Sequence, residues 1–191
     1  MKNLIRKLCV GVSLSMGLLS VANATYVDGN PTMYVDPTGL DAMVVTGGIS
    51  NGTPPNPFGH VGVAVTGYGM ASYGNNTALG SPASYYLNNQ DGKRNQQVTI
   101  IPTTPEQDAA MIAFIKQHPD KNGVGYLDNC AVRTNQILNA GGIPTQGIPF
   151  PGGLARDVAN LPGTTTYYIP KGAPIPDPLQ NVLPGYRSQP W

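Results

Sequence analysis

The chain has 191 residues, with 11 basic and 10 acidic side chains, 24 glycines, 19 prolines and two cysteines. That length suits one domain with enough core to fold alone, while the glycine and proline content predicts many loops and sparse regular structure. Lys2, Arg6 and Lys7 open the chain, and without them 8 bases face 10 acids, a formal charge of −2. No basic patch of the kind that neutralises phosphates survives, which argues against nucleic acid as a partner.

Behind those three bases comes an apolar run over residues 8–21 and then Ala22-Asn23-Ala24, the pattern of an export signal cleaved after Ala24. The run is shorter than the roughly 20 residues that span a bilayer, and no later stretch is long and apolar enough, so no transmembrane segment is expected. The expected product starts at Thr25 and is exported, periplasmic or secreted. Cys9 leaves with the signal, since Arg6-Lys7-Leu8 before it are not the small residues of a lipoprotein signal. Cys130 then remains as the only cysteine.

Residues 25–40 are polar and turn-rich. Their last ten, Pro31-Thr32-Met33-Tyr34-Val35-Asp36-Pro37-Thr38-Gly39-Leu40, resemble the closing motif of the Rhs-repeat core, P-x-x-x-x-D-P-x-G-L, at every fixed position. The resemblance implies aspartyl self-cleavage by Asp36 after Leu40 and a C-terminal effector tip, very often a toxin, with a cognate immunity protein as partner. Read locally, Asp36-Pro37-Thr38-Gly39 is a β-turn.

After Leu40, residues 43–48 suit a short strand, and residues 50–59 are a Pro/Gly/Asn loop that delivers the chain to His60. His60-Val61-Gly62-Val63-Ala64-Val65-Thr66 alternates valine with small residues at period two, a strand with one face well buried. Gly67-Tyr68-Gly69 turns it, and residues 70–74 return as the antiparallel partner. Residues 84–89 suit a short helix, 91–95 a polar turn and 97–102 a strand. Thr104-Pro105-Glu106-Gln107 is a capping box with proline at the first helical position; Met111, Ile112 and Ile115 give that helix an apolar face, and Pro119 stops it. A second helix runs over residues 129–140, capped by Asp128 or Asn129 and ended by Gly141-Gly142. A third fits residues 154–160, a strand fits 164–169, and the proline-rich residues 171–191 form an extended tail or one wrapped on the surface.

Chemistry concentrates on few residues. A lone thiol in an exported protein has no internal disulfide partner, and a helix start favours thiolate through unpaired N–H groups and the macrodipole, so Cys130 reads as a nucleophile with a lowered pKa. Such a thiol needs a base within hydrogen-bond reach, a group that orients the base, and donors for the oxyanion. His60 opens a strand seventy residues earlier, a rigid place for the base, and the first N–H groups of the Cys130 helix can serve as donors. The plain alternatives are a small buried hydrophobe for Cys130 and a structural histidine for His60. His118 ends a helix, where a cation is favoured, and reads as a cap; Arg133 reads as a solvated helix residue or ion-pair partner. Two histidines and one cysteine without ligand spacing make no metal site, and no glycine-rich stretch has the frame of a phosphate loop, so no cofactor is expected.

The order histidine strand, partner strand, then Asn129-Cys130 at a helix start resembles the circularly permuted papain-like superfamily. That group includes permuted NlpC-type cell-wall hydrolases and the lecithin:retinol acyltransferase group. The resemblance covers residues 60–142 and implies an α+β fold, an antiparallel sheet packed on two or three helices. It further implies Cys130 as nucleophile, His60 as base and Ser72, twelve residues past His60, as the orienting residue. The family usually has His, Asn or Gln there, and Tyr73 and Asn75 stand as rivals. Asn129 and Tyr126 fall where oxyanion or cleft residues lie, with plain packing the alternative for Tyr126. The implied activity is a cysteine hydrolase cleaving amide bonds, and export points to peptidoglycan stem peptides. A lipid acyl hydrolase or transferase, or a protein deamidase, shares the fold. From another class, a non-catalytic exported binding domain would keep Cys130 inert.

Overall fold

Seven successive buried residues, Asp41–Gly47, form β1 at the centre of a five-stranded sheet. The computed structural model describes residues 41–50, 56–120 and 127–188; the export signal, the Rhs-like segment and Tyr126 lie outside the described residues. The other strands are β2 (His60–Val65), β3 (Gly69–Ala71), β4 (Gln96–Pro102) and β5 (Thr165–Ile169), in the order β3-β2-β1-β4-β5 with every pair antiparallel. The helices are α1 (Ala83–Asp91), α2 (Pro105–Gln117), α3 (Cys130–Ala140), α4 (Pro151–Ala159) and α5 (Asp177–Val182). The fold is α+β, but with five helices and five strands its regular structure is not sparse.

Both faces of the sheet are covered, which is why β1 and β2 are buried along their whole length instead of alternating. Val44, Val61, Val63 and Val65 pack against Met111 and Ile115 of α2, Ile137 and Leu138 of α3, and Leu154 and Val158 of α4. Met43, Val45, Ala64, Met70, Val98 and Ile100, on the opposite parity, pack against Tyr86 and Leu87 of α1 and Leu179 and Val182 of α5. The second layer corrects two expectations. Among the described residues the sheet carries five helices, on both sides, rather than two or three. The tail is not extended: residues 171–188 hold α5 and a 3₁₀ turn, Leu183–Gly185, and bury Leu179, Leu183 and Tyr186. Proline at helix starts, as at Pro178 within the first turn of α5, is compatible with helix and was the misleading signal.

Local chemistry sets the elements that carry the site. Thr104 accepts from the Gln107 N–H while Gln107 Oε1 accepts from the Thr104 N–H, which starts α2 at Pro105. Asn129 starts α3 by accepting from Ala131 N–H at 2.9 Å and Val132 N–H at 3.0 Å. Gly59 has φ +76°, and a Cβ there would lie 2.5 Å from the Gly47 carbonyl oxygen, so only glycine lets the loop turn against β1 and enter β2 at His60. Among the described residues no helix is long and apolar enough to cross a membrane.

Candidate active site

Strand alternation places His60 on the α1 face of the sheet, with Ala64, and Ser72, just past the end of β3, on the same face as Met70. The hairpin register, Val63 opposite Ala71, then sets His60 and Ser72 side by side. His60 Nε2 lies 2.8 Å from Ser72 Oγ and 2.8 Å from Asn75 Nδ2, and Asn75 Nδ2 donates to Ser72 Oγ at 2.7 Å. The orienting position and one of its rivals thus act together. Tyr73 does not join them: its side chain turns to the other face and its hydroxyl donates to the His118 carbonyl at 3.1 Å. Beneath the group, the buried Tyr86 hydroxyl bonds to Ser72.

These bonds restrict where the His60 proton can sit. Asn75 Oδ1 is held by the Thr77 N–H at 2.9 Å, so its NH₂ faces the imidazole and can only donate. A proton on Nε2 therefore has one acceptor, Ser72 Oγ, and faces the Asn75 donor, which bonds to Nε2 only in the Nδ1–H tautomer; the Nε2–H tautomer is the one that leaves a lone pair on Nδ1. Among the described residues Nδ1 makes no hydrogen bond of its own, and no carboxylate orients the ring. Burial, reinforced by the Arg94 charge, lowers the His60 pKa from 6.5 to about 4, so the imidazole is neutral at pH 7.

Cys130 begins α3 on the opposite face, and α3 packs chiefly on β2. Its sulfur is half-buried, and the backbone N–H groups of Val61, the residue after His60, and of Ala131 and Cys130 itself lie near enough to favour its thiolate. Val61 is opposite Tyr73 in register, beyond the last residue of β3, so this N–H belongs to a strand edge that β3 leaves uncovered. The thiol and the imidazole thus lie on opposite faces of β2 at its start, and among the described residues no hydrogen bond joins them. The expected low thiol pKa is not found: burial raises it, outweighing the three N–H groups and the Arg94 charge that lower it. Capping also takes two donors of the helix start, since Ala131 and Val132 bond to Asn129 Oδ1. Asn129 Nδ2 donates to the Pro149 carbonyl at 3.2 Å, so this residue fixes the helix start and the loop before α4. Cys130 N–H is the donor that α3 leaves over.

The other singled-out residues lie apart. His118 Nδ1 donates to the Phe114 carbonyl at 2.8 Å and its ring stacks on Phe114 at 4.0 Å, closing α2. Arg133 pairs with Asp128 at 2.6 Å and Asp120 at 3.1 Å and lies over the Tyr73 ring. Arg94 escaped sequence reasoning, because a single arginine in a polar turn carries no motif; among the described residues it is the cation whose charge bears on His60, Tyr86 and Cys130 together.

Two consequences are measurable. Ser72→Ala removes the only acceptor for an Nε2 proton and should lower any His60-dependent rate ten- to a hundredfold. Asn75→Ala removes a donor that opposes that proton and should cost less than tenfold, with the two read side by side in steady-state kinetics. The second concerns stability. The folded state holds His60 neutral, so its contribution is present above pH 6.5 and is lost as pH falls toward about 4. Asp108, buried in α2 with Thr103 donating to it at 2.6 Å, is raised by burial from 3.8 to about 6, and its contribution runs the other way, lost as pH rises through that window. Each spans two units or more, about 3 kcal/mol, so the wild type should be nearly flat between pH 4 and 6. In Asp108→Asn, denaturant-measured stability should instead rise by about 3 kcal/mol from pH 4 to 7.

No family model matches the chain, and comparisons with curated proteins and with solved structures give no match.

Proposed function

We propose that the protein is a cysteine hydrolase of permuted papain-like type, with Cys130 as nucleophile and His60 as base. The observation that supports this reading is that the Val61 N–H, next to His60, lies by the Cys130 sulfur, while His60 Nε2 sits between Ser72 and Asn75 and Nδ1 makes no hydrogen bond among the described residues. Both groups are neutral at rest, because burial raises the thiol and lowers the imidazole. Attack is therefore base-assisted rather than launched from a standing thiolate. The Cys130 S–H proton passes to His60 Nδ1 as the sulfur bonds to the carbonyl carbon, and Nε2–H is held by Ser72 Oγ. The oxyanion meets the Cys130 N–H, a contact of the kind worth about 3 kcal/mol in the transition state. His60 returns the proton to the leaving group, giving a thioester. Water, deprotonated by the same Nδ1, then attacks the thioester, and the thiol recovers the proton.

Export of the chain makes an amide bond of peptidoglycan stem peptides the first substrate to test, with an antibacterial effector role and an immunity protein as partner following from the Rhs-like segment. A second reading, a lipid acyl ester as substrate, has one observation in its favour: Ile49, Phe58 and Tyr85 are 65%, 73% and 57% exposed, and Tyr85 shares a cavity with His60. The test incubates the protein with sacculi and, separately, with phospholipid vesicles. New amine ends from sacculi support the first reading, and released fatty acid supports the second.

A further inference from the structure

His60 opens onto a cavity of about 350 Å³ that no acidic side chain lines. Asn75, Thr77 and Asn89 supply polar walls, and Lys93 and Arg94 supply two positive charges. Arg94 is held for use rather than neutralised. Its Nη1 donates to the Gly48 carbonyl at a long 3.3 Å, its buried Nε has no hydrogen-bond partner, and no carboxylate pairs with it among the described residues. The guanidinium thus carries a charge that no carboxylate among the described residues offsets, and an anion in the cavity would pair with its terminal N–H groups. The stem of Arg94 lies across Gly47, where a Cβ would collide with its Cδ, so the glycine at the end of β1 sets the path of the side chain toward the cavity.

Building on the cysteine hydrolase reading, we propose that this cavity is an anion subsite in which Arg94, assisted by Lys93, binds a substrate carboxylate beside the base His60. A carboxylate fits the planar fork of the guanidinium, and amide side chains on the remaining walls suit a polar neighbour.

The test needs no identified substrate. Iodoacetate and iodoacetamide deliver the same carbon to Cys130, and only the first places a carboxylate beside it. The ratio of their alkylation rates, normalised to a free cysteine peptide, should be at least tenfold higher in the wild type than in Arg94→Gln, with Arg94→Lys between them. Gly47→Ala, which displaces the arginine stem, should lower the ratio in the same direction. Acetate should slow iodoacetamide labelling of the wild type and not of Arg94→Gln. Cooperative thermal unfolding of each variant confirms its fold. Equal ratios in wild type and Arg94→Gln overturn the subsite while leaving the nucleophile intact; labelling by both reagents at no more than the unassisted rate of a buried thiol overturns the nucleophile and the subsite with it.

Discussion

Cys130→Ala should fold and should hydrolyse nothing. The substitution removes one sulfur from a half-buried position at the start of α3, and Asn129, which holds that helix start through Ala131 and Val132, is untouched. The loss of packing should cost no more than about 1–2 kcal/mol, readable as a small shift in a cooperative unfolding curve. The loss of chemistry should be total against sacculi or vesicles at any pH, because no second thiol lies among the described residues. Residual hydrolysis at wild-type rate in this variant would remove the mechanism and leave the binding-domain reading, or an enzyme that does not use cysteine.

His60→Asn should lower turnover by a hundred- to ten-thousandfold, the range general-base assistance supplies. Here the dependence should sit at the high end, for a reason particular to this site. In a thiol enzyme whose nucleophile is already ionised, losing the base leaves part of the rate. In this protein burial keeps Cys130 protonated, so without His60 nothing removes the proton at neutral pH. The acid limb of the wild-type rate should fall near pH 4, where His60 titrates, rather than near the ordinary 6.5. Asparagine suits the test because it fills most of the ring's space beside Ser72 and Asn75 and cannot act as a base.

Much of the fold was legible in local signals. The Val-Gly-Val-Ala-Val alternation after His60 located β2, and the capping box at Thr104 located α2 to the residue. The Asn129-Cys130 start of α3 followed from the same capping chemistry. What failed was set by tertiary contacts. Residues 171–188 have no apolar period, yet Leu179, Leu183 and Tyr186 are buried because the second face of the sheet needs cover, a demand visible only once the sheet exists. The candidate site shows the same division. The spacing of twelve residues between His60 and Ser72 is a hairpin register and could be read from the strand and its turn, whereas the addition of Asn75 depends on an Asx turn onto Thr77. The direction of the Cys130 shift was misjudged because the sequence displays the helix start and hides the burial, and burial is the larger effect. Arg94 was invisible for a similar reason: its reach to the cavity depends on the bare backbone of Gly47, which pairs with Gln96 from the neighbouring strand.

The pH dependence of Cys130 alkylation by iodoacetamide, in wild type and in His60→Asn, tests the pairing of these two residues most directly. The wild type should label at a nearly constant rate from about pH 5 to 8, through base assistance by neutral His60, and faster only as the raised thiol itself ionises. His60→Asn should lose that plateau and label only in step with the thiolate. Superimposable profiles in the two proteins, each rising with a single raised thiol pKa, would contradict the pairing of Cys130 with His60.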